Sequence, residues 1–190
     1  MVGDGITNVL TPTLVGTAEA GTTVSIAYTD ASGTAREQST TADSGGAWSI
    51  AIANAVAGNG ANVPFTVTAA NAAGNTASTT ASIIFDTVSM TPSLRVDPGT
   101  GAARGIAEAG ATVLLDHDGN AGTAALETIA GTDGAYAFAA GTVANAGQAV
   151  GATAVDTAGN TSTAATVTMP NGGTAGPDFI DNVGGPARTI

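Results

Sequence analysis

Apolar and polar positions alternate with a period of two in several short stretches of the chain. Residues 23–28, 47–52 and 64–68 place a large apolar side chain at every second position, with small or polar residues between them. That period is typical of a β-strand with one buried face. Gly, Asn and Asp between the stretches favour tight turns. No stretch combines an apolar period of 3.6 residues with two helix caps, so we expect at most one helical turn, within residues 51–57.

Three motifs occur twice in the same order. Residues 16–24 recur as 105–113 with seven of nine positions identical, and residues 67–76 recur as 152–161. Between them, an acidic turn precedes an aromatic strand that contains Trp48 in the first copy and Tyr136 in the second. Short strands at this spacing predict a sandwich, repeated in units of about 85 residues.

The repeat defines the expected domain organisation. We predict an all-β chain made of two tandem immunoglobulin-like antiparallel β-sandwiches joined by a short linker. Repeat 1 is expected at residues 1–87 and repeat 2 at residues 88–170, because a strand-like run gives way to a Pro-containing segment at residues 86–92. Residues 171–190 are expected to be a linker and the start of a further repeat.

The composition limits how such domains are stabilised. Aromatic residues make up 4% of the chain and charged residues 10%, and Cys is absent. The core must therefore be built from small and β-branched side chains, with neither disulfides nor thiolate metal sites. Trp48 and Tyr136 are most simply core aromatics, and the alternative is a platform on which carbohydrate stacks.

The net charge of -11 comes from 15 acidic residues against four arginines. Such a surface repels a phosphate backbone, which argues against nucleic-acid binding. No apolar run approaches the roughly 20 residues that span a bilayer, and the first residues lack the pattern of a signal peptide. Many carboxylates are compatible with Ca²⁺, which prefers oxygen ligands.

The candidate calcium ligands fall into two groups. The first is expected at the domain junction and consists of Asp86, Asp156, Asn160, Asp97 and Glu19. The second is residues 116–127, which place acids or amides at positions 1, 3, 5 and 12 of an EF-hand-like loop: Asp116, Asp118, Asn120 and Glu127. The second match is incomplete, because Ala121 replaces the expected Gly and a strand precedes the loop. In both groups, metal-free Asx-turns are the alternative.

Catalytic chemistry is not indicated by the sequence. No Ser, His and Asp set in a triad-like context, no phosphate-binding loop and no His cluster is present, so we expect no enzyme.

Residues 11–21 and 156–162 resemble the signature segments of bacterial Ig-like repeats in biofilm-associated, type I secreted giant adhesins of the RTX type. The resemblance covers nearly all of residues 4–170, and residues 178–190 resemble the opening of a further repeat. It implies secretion to the outer surface of a Gram-negative cell and a spacer role between neighbouring repeats. It also implies calcium ions that stiffen the domain junctions. Asn71 stands where the second copy has Asp156, which departs from the pattern.

The expected function is that of extender repeats in a monomeric chain, made rigid by Ca²⁺ and supporting cell adhesion and biofilm formation. One alternative is a module that binds a host or bacterial surface glycan or protein through loops or through exposed Tyr28, Tyr136 or Phe179. Another is homotypic cell-cell adhesion through exposed edge strands.

Overall fold

The computed structural model describes residues 5–56, 58–143 and 147–170, together with the backbone of residues 180–181. Within these ranges every regular element is a β-strand. The predicted all-β class is therefore confirmed, and residues 51–56 contain no helical turn. The chain divides into two compact units, Met1–Thr87 and Val88–Ile190.

Unit 1 is a sandwich of a five-stranded and a two-stranded sheet. The larger sheet has the order β1-β7-β6-β3-β4 and the smaller one pairs β2 with β5. All pairs are antiparallel except β1 with β7, which is parallel. The strands are β1 (Ile6–Thr7), β2 (Thr13–Thr17), β3 (Thr23–Thr29), β4 (Ala35–Thr41), β5 (Ala47–Ala51), β6 (Ala61–Ala70) and β7 (Thr76–Phe85).

Unit 2 is a sandwich of two four-stranded sheets, with the orders β11-β10-β13-β14 and β12-β9-β8-β15. All of its pairs are antiparallel. The strands are β8 (Arg95–Val96), β9 (Ala103–Ile106), β10 (Thr112–Asp116), β11 (Leu126–Ile129), β12 (Ala135–Phe138), β13 (Ala149–Val155), β14 (Ala165–Thr168) and β15 (Ile180–Asp181).

Strand β15 comes from the segment that we expected to be a linker and the start of a further repeat. Its two residues pair with Arg95 and Val96 of β8, inside unit 2. The rest of residues 171–190, including Phe179, lies outside the described residues.

The alternation in the sequence corresponds to the two faces of the strands. On β3, Val24, Ile26 and Tyr28 are buried, and the residues between them are half-buried or exposed. Unit 2 builds much of its core from small side chains, including Ala152 and Ala154 on β13. Fully burying a Val or Ile side chain contributes about 1.5–3 kcal/mol, so each unit depends on many modest contributions.

The repeated glycine and the repeated aromatic residue face each other across a strand pair. Gly16 pairs with Trp48 in unit 1, and Gly105 pairs with Tyr136 in unit 2. A Cβ atom on Gly16 would lie 2.5 Å from Cζ2 of Trp48, and one on Gly105 would lie 2.8 Å from Oη of Tyr136. Glycine is required at both positions, because a Cβ would overlap the Trp48 ring in unit 1, and in unit 2 it would overlap the carbonyl oxygen of Ser93 as well as the Tyr136 hydroxyl.

The aromatic residues belong to the cores of the two units. Tyr136 and Tyr28 are buried, and Trp48 is half-buried against the core of unit 1. The hydroxyl of Tyr136 donates a hydrogen bond to the carbonyl oxygen of Ser93 at 2.5 Å. The expectation that Tyr28 and Tyr136 are exposed contact residues for a ligand is therefore wrong, since their rings fill the sandwich interior.

Candidate metal centre

The turn between β9 and β10 carries Glu108, and the strand pairing of unit 2 fixes its backbone. The amide of Ala111 donates to the carbonyl oxygen of Glu108 at 3.1 Å. The amide of Gly110 donates to Ala130 at 3.0 Å, and Gly110 has a φ of 79°. A residue with a Cβ would be strained there, so the Glu-Ala-Gly motif forms a fixed turn that presents the Glu108 carboxylate.

Asp156 begins the turn that follows β13, and its side chain is largely buried, with 6% of its surface exposed. Its Oδ1 accepts a hydrogen bond from the amide of Asn160 at 2.8 Å, and its Oδ2 accepts one from Nδ2 of Asn160 at 2.8 Å. Its amide donates to the carbonyl oxygen of Asn160 at 3.0 Å. Asn160 therefore holds the Asp156 carboxylate in one orientation.

These two turns bring a pair of carboxylates together within unit 2. Ligand oxygens of Glu108 and Asp156 lie within 4.8 Å of each other. Two negative charges at such a distance repel by on the order of 3 kcal/mol at an effective dielectric constant of about 20. A divalent cation between them would replace that repulsion by attraction, and each carboxylate has lone pairs left for it.

Glu108 is the functional candidate that the sequence analysis missed. The repeat contained the signal, because Glu19 occupies the same position in the motif of the first copy and was included among the candidate ligands. The comparison of the two copies did not show that Glu108 lies beside Asp156, because that follows from the pairing of β10 with β13.

Unit 1 contains the same two turns, but Asn71 takes the place of Asp156, so they carry one negative charge fewer. The carbonyl oxygen of Glu19 accepts from the amide of Thr22 at 3.0 Å, and Glu19 is exposed. Oδ1 of Asn71 accepts from the amides of Ala73 and Asn75 at 3.1 and 3.0 Å. Because Asn71 is neutral, the turns of unit 1 offer one carboxylate where those of unit 2 offer two.

Asp86 and Asp97 also belong to the predicted junction group, and each makes backbone hydrogen bonds within its own unit. Asp86 follows β7 directly, is half-buried, and donates its amide to Thr7 at 2.9 Å. Asp97 lies in the turn after β8, where its Oδ1 accepts from the amide of Gly99 at 2.8 Å. The hydroxyl of Thr100, together with the Gly99 amide, lowers the pKa of Asp97 below its usual value. Asp97 thus forms an Asx-turn.

The EF-hand-like segment folds as a β-hairpin. Glu127 lies on β11 opposite Leu114 of β10, so the segment joins two strands and is flanked by no helices. Asp116, Asp118 and Asn120 each accept a hydrogen bond from a backbone amide two or three residues later, at 2.8, 3.0 and 3.0 Å. A hydrogen bond from Thr123 is the largest cause of a lowered Asp118 pKa. Within the described ranges, these residues form no cluster of three acidic ligands.

Both units match family models of known domains. Residues 1–87 match a model described as a bacterial Ig-like domain, and residues 91–171 match a model described as a bacterial Ig domain. The chain belongs to the bacterial immunoglobulin-like domains. The prediction of two tandem Ig-like sandwiches is thereby confirmed, as is the resemblance of the repeated motifs to bacterial Ig-like repeats.

The solved structures to which this chain is similar include the following three. The BSP domain of a biofilm-associated protein is 23% identical over 90% of this chain and 29% of its own, with a TM-score of 0.38. A 1.5-MDa bacterial ice-binding adhesin is 22% identical over 90% of this chain and 61% of its own, with a TM-score of 0.47. A Ca²⁺-stabilised adhesin of an Antarctic bacterium is 23% identical over 84% of this chain and 43% of its own, with a TM-score of 0.41.

The chain of bacterial Ig-like domains thus spans less than two thirds of each of these three proteins. No curated protein is similar enough to the chain to count as a relative. Within the described residues, no helix is long and apolar enough to span a bilayer.

Proposed function

We propose that these two domains are extender repeats of a secreted bacterial surface adhesin and that a calcium ion held by Glu108 and Asp156 stiffens them. The observation that carries the proposal is the pair of carboxylates within 4.8 Å, one of them largely buried, in a chain with a net charge of -11. Calcium is the hard cation that suits such an oxygen-only site outside the cell.

Further ligands of this ion are proposed from the covalent order of the chain. Calcium takes six to eight oxygens, so two carboxylates leave positions for other groups and for water. Asp86 lies one residue before the end of unit 1, and we propose it as a third acidic ligand at the junction. An ion shared in this way would restrict the angle between the domains, which is what an extender needs.

The loops of both units support a role in length and stiffness. Asp30, Asp43, Asn71, Asp97 and Asp156 each begin a turn and accept backbone hydrogen bonds through the side chain. Turns fixed in this way lose little further entropy when neighbouring repeats are joined. Small units with fixed loops are well suited to carry a distant adhesive domain away from the cell surface.

The experiment is thermal unfolding of the full chain in calcium and in chelator. A ligand that binds only the native state at 100 times its Kd stabilises it by about 2.7 kcal/mol. For a domain of this size that corresponds to a rise in Tm of roughly 10–20 °C. Glu108→Gln and Asp156→Asn should lose most of this rise, and the second variant should still fold because Asn71 forms the same turn in unit 1.

Asp133→Asn is the matched control for these variants. Asp133 is also a turn acid of unit 2, and its Oδ1 accepts from the amide of Ala135 at 3.0 Å, but it belongs to no acidic cluster among the described residues. Its calcium response should equal that of the wild type. An equal Tm in calcium and chelator for the wild type would refute the calcium part of the proposal.

A ligand-binding module is the second candidate, because unit 2 has a groove of about 590 Å³ on β8, β9 and β12. Ile106 and Ile129 line it together with Arg95 and Arg104, two of the four arginines in the chain. This lining suits a glycan that carries a carboxylate. A glycan array in which Arg104→Ala removes the hits obtained with the wild type would support this candidate, and an array without reproducible hits would refute it.

A further inference from the structure

One side of β7 is left open in the larger sheet of unit 1. β6 pairs with all ten residues of β7, whereas β1 pairs only with Ile84 and Phe85 on the other side. Residues 76–82, which we call the open edge, are all exposed. Within the described part of the chain, no strand pairs with the open edge.

The backbone groups that point outward along the open edge can be identified from β1. The amide of Ile84 donates to Gly5 at 2.7 Å, and that of Asp86 donates to Thr7 at 2.9 Å, so these residues face away from β6. The backbone N–H and C=O groups of successive residues in an antiparallel strand point alternately to its two sides, and the β6–β7 register has no bulge. The outward-facing residues of the open edge are therefore Thr76, Ser78, Thr80 and Ser82.

Three other edge strands, β4, β11 and β14, have features that hinder pairing, and the open edge lacks them. Strand β4 carries Arg36 and Glu37, β11 carries Glu127, and β14 has only four residues. Charged residues and short length are common ways of blocking edge-to-edge association. The open edge has seven residues, no charge and no Pro, and its three Thr residues favour the extended conformation.

The sequence of the open edge is nearly the same in both directions, which makes it complementary to itself. An antiparallel partner centred on Thr79 brings similar residues opposite each other: Thr76 with Ser82, Ala77 with Ala81, Ser78 with Thr80, and Thr79 with Thr79. This register also places outward-facing residues opposite outward-facing residues, as hydrogen-bonded antiparallel pairs require. Cross-strand pairs of Thr and Ser are themselves favourable.

We propose that the open edge binds the open edge of a second copy of this chain, with a two-fold axis at Thr79. The five-stranded sheet then continues into that of the partner through about eight backbone hydrogen bonds. The two open edges bring no carboxylate against another, although each chain has a net charge of -11. The proposal replaces our expectation of a monomer and does not depend on calcium.

The side chains at the centre of the open edge leave room for substitutions. Ala77, Ser78 and Thr79 line a cleft of about 190 Å³ whose other wall includes Trp48. Thr79 is exposed and packs into no core cluster. Changes at Thr79 should therefore affect association more than folding.

The first test uses disulfide formation in a chain that has no native Cys. In the proposed register, the two copies of residue 79 form a non-hydrogen-bonded pair with Cα atoms about 4.5 Å apart, which a disulfide can span. The two copies of residue 77 would be roughly 13 Å apart along the strands. Thr79→Cys should therefore form covalent dimers at least about tenfold faster than Ala77→Cys.

Thr166→Cys is the control, because Thr166 is an exposed residue of β14, the strand of unit 2 that ends the sheet containing β10 and β13. It should form covalent dimers as slowly as Ala77→Cys. Equal rates for all three variants would mean random collision and would overturn the proposal.

The second test is sedimentation equilibrium of the full chain up to millimolar concentration, with two kinds of variant. Thr79→Lys places two ammonium groups opposite each other at the axis, and Thr80→Pro removes an outward amide while leaving the β6–β7 hydrogen bonds intact. Both should reduce the dimer fraction at least about tenfold. Thr166→Lys changes the net charge equally and should dimerise like the wild type. A wild type that stays monomeric at every concentration would overturn the proposal, as would dimers that persist in both variants.

Discussion

Tyr136→Phe is a direct test of how unit 2 is held together. The Tyr136 hydroxyl donates to the carbonyl oxygen of Ser93 at 2.5 Å, on the segment that leads into β8. Removing the hydroxyl leaves that partly buried carbonyl without this donor, which costs about 1–2 kcal/mol. The Tm of unit 2 should fall by roughly 5–10 °C, since 1 kcal/mol corresponds to about 4–8 °C in a domain of this size.

The same residue predicts a dependence on alkaline pH. Burial raises the pKa of Tyr136 from 10.0 to about 12. A folded-state pKa above the unfolded value means that the unfolded state loses its proton first as the pH rises. The stability contributed by the neutral hydroxyl is therefore complete below pH 10 and is lost between pH 10 and about 12. A shift of this size corresponds to a loss of roughly 3 kcal/mol in the free energy of unfolding.

The assay compares the wild type and Tyr136→Phe by circular dichroism at neutral pH and above pH 10. Trp48, the one tryptophan of the chain, lies in unit 1, so its fluorescence follows that unit as an internal control. The variant should be less stable than the wild type at neutral pH. The difference between their free energies of unfolding should become smaller as the pH rises. A deficit below about 0.3 kcal/mol, or one that does not change with pH, would refute this interpretation.

Two further predictions concern unit 1. Gly16→Ala should destabilise unit 1 by about 1–3 kcal/mol and change the fluorescence of Trp48, because the new Cβ would lie 2.5 Å from the indole ring; unchanged denaturant midpoint and emission would contradict it. Asp30 accepts from Ser32 and from Arg36, which pairs with it at 2.7 Å, and these bonds hold its pKa far below the usual 3.8. The stability that the ionised Asp30 contributes is complete above pH 3.8 and is lost as the pH falls below that value. Asp30→Asn should therefore be less stable than the wild type at pH 7. The variant should also lose less of its free energy of unfolding on acidification. Equal acid unfolding curves would contradict this assignment.

Much of the fold could be predicted because burial imposes a period of two on the strands that form the core. Strands β3, β5 and β6 all lie in stretches where large apolar residues alternate. The first seven residues of β7 do not alternate in this way and were not identified as a strand. They form a strand because their backbone pairs with β6. That pairing cannot be predicted from the polarity of the side chains.

The candidate site was only partly predictable for a similar reason. Asp156 and Asn160 were identified, since an Asp and an Asn separated by a turn are close in any fold. Glu108 was missed because it is 48 residues from Asp156, and only the pairing of β10 with β13 brings their turns together. The EF-hand-like spacing at residues 116–127 lies in a hairpin between β10 and β11. A linear pattern of acids does not specify whether strands or helices flank it.

The most direct test of the calcium proposal is a calorimetric titration of the full chain with calcium, beside the double variant Glu108→Gln, Asp156→Asn. We predict saturable binding by the wild type and loss of that binding in the double variant, with binding retained in Asp133→Asn. A wild type that shows no saturable binding, or a double variant that binds as the wild type does, would contradict the assignment of Glu108 and Asp156 as calcium ligands.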